Sequence, residues 1–179
     1  MYQIEGEITG VAPFLFNRYV DNPSGRKTDD AKIEEAHQKV YADAEGLYWP
    51  AWNLKRTISA GAKRGGIKEG RASFAGTVDS TLFVEADPRF STSDYDMHEV
   101  MGRIPPRTGG YVLLRRPILA AGWRLSFVLK VVDDRTSAEK LRQSLVEAGH
   151  LVGMGSWRPE YGRFRVTKWT RVEVSQNAA

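Results

Sequence analysis

Residues 149–164 read Gly149-His-Leu-Val-Gly-Met-Gly-Ser-Trp-Arg-Pro-Glu-Tyr-Gly-Arg-Phe164 and follow a predicted helix. Glycine accepts positive φ and lets the backbone approach a ligand closely. Aromatic and guanidinium groups can stack on bases and contact phosphates, and this stretch supplies Trp157, Arg158, Tyr161 and Arg163. The combination indicates nucleic-acid binding; the alternative is a tight turn between a helix and a strand with one buried tryptophan.

The segments on either side of this stretch have clear periodicity. Thr136-Ser-Ala-Glu139 predicts a capping box, and the helix that follows carries Leu141, Leu145 and Ala148 on one side. A strand over residues 162–174 is predicted to separate apolar Phe164, Val166, Val172 and Val174 from basic Arg163, Arg165 and Arg171. The exposed side of this last strand is therefore expected to be basic.

The rest of the chain supplies further strands and a second core helix. Alternation predicts strands over residues 2–9 and 81–85 and a hairpin of 111–116 with 123–132, while Leu54, Ile58 and Ala62 predict a helix over 51–63. An N-terminal insertion, about 17–46, holds a loop to residue 28 and a helix over 29–43. The order βαββαβ predicts one α+β domain over 1–179, with a ferredoxin-like or RRM sheet and two helices on one face.

Residues 86–110 do not fit this pattern. They contain three prolines, three aspartates and a Gly-Gly pair, and the segment is long for a connection within a compact domain. We expect an irregular, projecting thumb-like loop or lid.

Positive charge is concentrated in the second half of the chain. Residues 103–171 contain fourteen Lys and Arg against five Asp and Glu, whereas residues 1–102 contain twelve against sixteen. Within the acidic half, residues 55–71 are an exception, with six cationic side chains and one glutamate. Segregated positive charge is typical of polyanion binders. Because regions of opposite sign can also meet between copies, we expect a homo-oligomer.

Several classes of protein are disfavoured by composition. The chain has no cysteine, and His37, His98 and His150 lack metal-ligand spacing, so we expect no metal and no cofactor. No apolar run approaches the roughly 18 residues of a membrane helix, and no signal-peptide pattern is present. We expect a soluble protein of the bacterial cytoplasm with no membrane partner.

The glycine-rich segment between the last helix and the last strand resembles that of the RAMP superfamily of CRISPR-associated proteins. Trp49-Pro-Ala-Trp-Asn-Leu-Lys-Arg-Thr-Ile-Ser-Ala60 is similar to the Ile-Pro-Gly-Ser-Ser-Leu-Lys-Gly segment that opens the first helix of RAMP backbone subunits. Small proteins of tailed phages and prophages share the Gly-x-Gly-x-Trp-Arg-Pro-Glu signature. One departure is that Gly-Ser-Ser is replaced by the bulkier Ala51-Trp52-Asn53.

The resemblance implies a CRISPR backbone-like protein that polymerises along guide-like RNA without base specificity, with other CRISPR subunits as further partners. By position it assigns Asn53, Lys55 and Arg56 to the RNA backbone and the segment from Gly153 through Gly155 to Gly162 to the opposite wall of a groove.

Single-strand binding requires cations for the backbone and aromatic platforms for bases. One predicted cationic rail consists of Lys55, Arg56, Lys63 and Arg64, and the other of Arg115, Arg116, Arg158 and Arg163. Trp157 and Tyr161 are the predicted stacking residues.

Two alternatives to RNA binding without catalysis remain. The first is a RAMP-type endoribonuclease using His37, His98 or His150 as general base, or Asp29 or Asp30. The second is a phage single-stranded DNA-binding protein for replication or recombination. The glycine stretch is neither a Walker motif nor a dinucleotide fingerprint, which argues against nucleotide hydrolysis.

Overall fold

The computed structural model describes residues 1–21, 28–103 and 110–173. Four helices are present in these ranges: α1 Asp29–His37, α2 Ala51–Arg64, α3 Ala75–Thr81 and α4 Ala138–Leu151. The strands are β1 Tyr2–Gly10, β2 Phe14–Leu15, β3 Ala42–Asp43, β4 Gly46–Leu47, β5 Lys68–Glu69, β6 Ala72–Ser73, β7 Leu82–Val84, β8 Arg89–Phe90, β9 Asp96–Arg103, β10 Tyr111–Leu119, β11 Arg124–Val131 and β12 Phe164–Glu173.

The main sheet has the strand order β12-β1-β11-β7, with β8 also paired to β11, and its pairings are antiparallel. With α2 after β1 and α4 after β11, this is the ferredoxin-like arrangement expected from the βαββαβ order. The predicted α+β fold class is confirmed. Opposite residues in a strand pair share a face, so buried Ile4 and Ile8 share the core face with Leu129 and Leu125.

The two long helices pack against each other on this core face. Leu54 and Ile58 of α2 and Leu141 and Leu145 of α4 are fully buried, and burying each such side chain stabilises the fold by about 1.5–3 kcal/mol. The helices approach closely at Gly61, where a Cβ would overlap the Ser144 carbonyl oxygen. α2 also contacts β7, and α4 contacts β12.

A second sheet has the order β2-β10-β9 and corrects two expectations. The hairpin of 111–116 with 123–132 is wrong, because β10 pairs with β9 and β2, whereas β11 pairs in the main sheet. Residues 86–103 are also less irregular than expected, since they contain β8 and β9. The prolines lie outside β9 and therefore do not prevent it from pairing. Residues 104–109, part of the predicted thumb, lie outside the described residues.

Two local boundaries also differ from expectation. The first helix ends at His37 rather than 43, because residues 42–43 pair as β3 with β4. The cap of α4 is Ser137, whose side chain accepts from the Lys140 amide. The Thr136 hydroxyl instead donates to Thr81 Oγ1. The predicted capping box is therefore wrong, because the cap lies one residue later and the residue three positions beyond it is a lysine rather than a glutamate.

The last strand contains a bulge that reverses its alternation. Ile8 is opposite Val166, but the preceding Glu7 is opposite Lys168, so Thr167 is extra. As a result Arg171 lies opposite buried Ile4, with its guanidinium 4.1 Å from the Tyr2 ring centroid. The predicted grouping of Arg171 with Arg163 and Arg165, and of Val172 with Phe164, is therefore wrong. Val174 and the insertion residues 22–27 lie outside the described part of the chain.

Candidate nucleic-acid interface

The segment Gly153–Gly162, called the glycine loop below, has a backbone that only glycine fits at several points. Gly153, Gly155 and Gly162 have φ of 70°, 79° and 72°, in the region that side chains disfavour. A Cβ at Gly162 would also overlap the Met154 carbonyl oxygen. The loop conformation therefore depends on glycine for both its dihedral angles and its close backbone contacts.

Backbone hydrogen bonds fix the glycine loop to the start of the second sheet. The Ser156 amide donates to the Leu15 carbonyl at 2.9 Å, and the Gly162 amide donates to the Pro13 carbonyl at 2.7 Å. Within the loop, the Met154 amide donates to the Gly162 carbonyl at 2.9 Å, and the Met154 side chain is fully buried. The loop is therefore a fixed wall that can present its other side chains in defined positions.

Arg116 on β10 links the second sheet to the glycine loop. Its Nη1 donates to Ser156 Oγ at 2.7 Å, and its guanidinium lies 4.3 Å from the centroid of the Trp157 ring. Partial burial lowers the pKa of Arg116. Trp157, which has φ of 54° and is 37% exposed, is thus held by a cation while part of its surface remains accessible. Tyr161 lies beside it, with ring centroids 6.0 Å apart.

Helix α2 forms the opposite wall. A first cleft of about 290 Å³ lies between its first turns and the glycine loop, lined by Trp52, Asn53, Arg56 and Thr57 on one side, Gly155, Ser156 and Arg158 on the other, and Asn17, Tyr41 and Trp49 between them. A second cleft of about 510 Å³ is lined by Ala60 and Arg64 of α2 and by Leu151, Val152, Gly155, Trp157, Arg158 and Pro159. Arg158 lines both clefts.

The cations of these clefts are not neutralised locally. Among the residues that the structure describes, no carboxylate forms an ion pair with Arg56, Arg64 or Arg158. Trp52 is 57% exposed, and the Arg56 guanidinium lies 5.3 Å from its ring centroid. The two clefts therefore combine free guanidinium groups with accessible indole rings, the groups that single-strand binding uses.

Seven predicted binding residues are absent from the lining of both clefts. Gly153 and Tyr161 belong to the glycine loop and Arg116 contacts it, whereas the other four lie elsewhere. Lys55 Nζ lies 4.8 Å above the Phe83 ring, near the β7 edge of the sheet. Arg115 donates to Glu99 at 2.5 Å, so the two members of the Arg115–Arg116 pair point to opposite sides of β10. Lys63 and Arg163 are exposed but line neither cleft. The two predicted rails therefore meet in part, through Arg56 and Arg64 of one rail and Arg158 of the other.

Several residues of the first cleft were not predicted from the sequence, among them Asn17, Tyr41, Trp49 and Trp52. Trp49 and Trp52 stand on either side of the Pro50 N-cap of α2, and two tryptophans three residues apart at a helix start were an available signal. Asn17 and Tyr41 belong to the insertion, and no local pattern connects them to α2.

The candidate catalytic side chains are dispersed. His98 lies beside the glycine loop, with Nε2 3.4 Å from the Tyr161 hydroxyl, whereas His37 contacts Tyr95 at 3.0 Å. His150 is exposed on the last turn of α4. A hydrogen bond from Lys32 lowers the pKa of Asp29. Over the described ranges, no group of three His, Asp or Glu side chains is arranged to hold a metal.

The outer face of the main sheet has a different character. Its outward positions on β1 carry Gln3, Glu5, Glu7 and Thr9, and those on β11 carry Arg124, Ser126, Val128 and Lys130. A cavity of about 450 Å³ on this side is lined by four carboxylates, Glu5, Glu7, Glu85 and Asp87, with Arg89 and Lys168 as the cations. RRM domains stack bases on aromatic side chains of the sheet. The outward positions of β1 and β11 carry none, and β7 places the exposed Phe83 opposite Lys130 on this face.

Comparisons with known proteins support the fold. A chain in a solved structure described as "Cryo-EM structure of the Type III-B Cmr-beta bound to cognate target RNA" is similar, with a TM-score of 0.67 and 11% sequence identity. The likeness covers 96% of this chain and 61% of that one, so the present chain spans less than two thirds of its neighbour.

No protein-family model and no curated protein sequence matches the chain. Within the described residues, none of the helices has the length and apolar character needed to cross a bilayer. The structural likeness shows that this chain shares the fold of a chain in that complex.

Proposed function

We propose that this chain is a non-enzymatic protein that binds single-stranded RNA in the two clefts between α2 and the glycine loop. The observation that carries the proposal is the convergence of Arg56, Arg64 and Arg158 with exposed Trp52 and Trp157 across these clefts. Trp157 and Tyr161 serve as base platforms, and Arg116 positions Trp157.

The physical chemistry of the clefts suits an unpaired strand. Each phosphate contact by Arg releases condensed counterions, and each stacked base contributes about 1–3 kcal/mol by substitution. Free guanidinium groups favour this exchange, because no internal ion pair has to be broken first. Since Arg158 lines both clefts, one strand can run continuously from the first to the second.

RNA is favoured over DNA because the fold neighbour is bound to target RNA. By the same analogy, copies of this chain polymerise along a guide-like strand, with other CRISPR subunits as partners. The acidic cavity on the outer face and the basic clefts provide surfaces of opposite charge for contacts between copies.

Binding of a fluorescently labelled RNA 20-mer, followed by polarisation at several salt concentrations, tests the proposal. Arg56→Ala and Arg158→Ala should each weaken binding about fivefold and reduce the slope of log K against log salt by about 0.7. Arg165→Ala is the matched control, because Arg165 is exposed on β12 and lies outside both clefts. Equal effects at all three positions would reject the clefts as the binding site.

One observation favours a second candidate, a ribonuclease, because His98 lies against Tyr161 of the glycine loop. Incubation with end-labelled RNA distinguishes the two functions. Product bands that His98→Ala abolishes would establish cleavage and reject a role in binding alone. Competition between matched RNA and DNA oligomers in the polarisation assay tests the single-stranded DNA alternative.

A further inference from the structure

The first cleft has the size and lining of a small-molecule site. Its volume of about 290 Å³ is close to the lower end of the 300–1,000 Å³ that such sites usually occupy. Three aromatic side chains, Tyr41, Trp49 and Trp52, contribute to its walls. The Tyr41 and Trp49 rings pack edge to face, with centroids 5.5 Å apart, which fixes one wall. A flat aromatic ligand matches this lining better than a phosphate alone does.

Two side-chain amides in the cleft have no hydrogen-bond partner among the described residues. Asn17 and Asn53 both line it, and neither amide group hydrogen-bonds to any residue in the described ranges. An asparagine amide presents a donor and an acceptor side by side, which is the pattern that pairs with the edge of a base. The two amides of the cleft can therefore hydrogen-bond to a bound base.

Trp49 adds an independent observation. Its side chain is 7% exposed and forms part of the cleft wall, and its Nε1 is the one buried side-chain donor without a hydrogen-bond partner among the described residues. Buried indole N–H groups normally have a partner. A ligand that brings an acceptor atom to this wall would supply the missing hydrogen-bond partner.

We propose that the first cleft is a nucleobase pocket that takes one purine of the bound strand. Asn17 and Asn53 read the edge of the base, Trp52 stacks on it, and Arg56 and Arg158 hold the adjoining phosphates. A purine is favoured because its two rings offer more stacking area and because asparagine pairs with the N6 and N7 atoms of adenine.

This inference rests on the proposed function and adds base selectivity to it. The resemblance implies binding that is independent of sequence, but it is at Trp52 and Asn53 that this chain departs from the Gly-Ser-Ser of the family segment. The departure places a large ring and a base-reading amide where the family has small side chains. Selectivity at one nucleotide per protomer follows from these two residues together with Asn17.

Four RNA 12-mers test the pocket: an all-U strand and three variants that carry a single central A, G or C. By fluorescence polarisation at fixed salt, the better purine strand should bind about fivefold more tightly than both pyrimidine strands. The double variant Asn17→Ala/Asn53→Ala should lose this preference, so that it binds the four strands with affinities that agree within about twofold. Gln143→Ala, which removes an exposed amide on α4, is the matched control and should retain the preference.

The outcomes separate the two proposals. If the unchanged protein binds all four strands equally, or prefers C or U, the purine pocket is rejected while RNA binding stands. If it binds none of them, both proposals fail. A preference that survives in the double variant would reject the assigned role of the asparagines. Thermal melting checks that the double variant is folded, and the single variant Asn17→Ala, at an exposed position, replaces it if it is not.

Discussion

The two sides of this molecule differ in the charge that lines their cavities. The clefts between α2 and the glycine loop carry guanidinium groups beside Trp52 and Trp157, whereas the cavity on the outer face of the main sheet is lined by four carboxylates and two cations. A ferredoxin-like sheet can bind nucleic acid on its open face, as RRM domains do. In this chain the carboxylates of that cavity oppose the binding of a strand there, so the fold alone does not locate the site.

The largest expected effect comes from a substitution in the glycine loop, which forms one wall of the clefts. Gly162→Ala forces a side chain onto a residue with φ of 72° and against the Met154 carbonyl. We expect a loss of about 3 kcal/mol in the free energy of unfolding, measured with urea, together with loss of RNA binding.

Gly70→Ala is the matched control for this change. Gly70 also has positive φ, at 58°, but a Cβ there has no neighbour within 4 Å, so only the backbone strain of about 1 kcal/mol applies. If the two substitutions cost the same, the glycine loop is not the tightly packed wall described above.

The smallest expected effect concerns Lys55, which the family resemblance assigns to RNA. Its ammonium group lies over Phe83, near the β7 edge of the sheet and away from the clefts. We expect Lys55→Ala to change the RNA dissociation constant less than twofold by polarisation, against about fivefold for the neighbouring Arg56→Ala. A larger loss for Lys55→Ala would mean that the strand follows the family motif rather than the clefts.

The strongly periodic parts of the fold were predictable from the sequence. Leu54, Ile58 and Ala62 place the core side of α2 correctly, and alternation identifies β1 and β11. The pairing partners of the strands were harder to predict, because no local sequence pattern indicates that β10 pairs with β9 rather than with the following β11. The bulge at Thr167 could not be predicted from the sequence of the strand either, since it depends on the register with β1.

The candidate site was predictable at the level of its two walls. The glycine spacing and the basic helix identify Gly155, Arg158 and Arg56, which line the first cleft. The choice between Lys55 and Arg56 depends on how α2 is flanked by β7 and α4, which is a tertiary property. Asn17 and Tyr41 come from a distant insertion, so only the folded chain brings them to the cleft.

Photo-cross-linking of RNA that contains 4-thiouridine, followed by trypsin digestion and mass spectrometry, locates the bound strand. Binding in the clefts predicts cross-links on the peptide 40–55, which carries Tyr41, Trp49 and Trp52, and on the peptide 143–163, which carries the glycine loop. Cross-links concentrated on the β11 peptide 125–130, with none on those two, would place the strand on the outer face of the sheet and reject binding in the clefts.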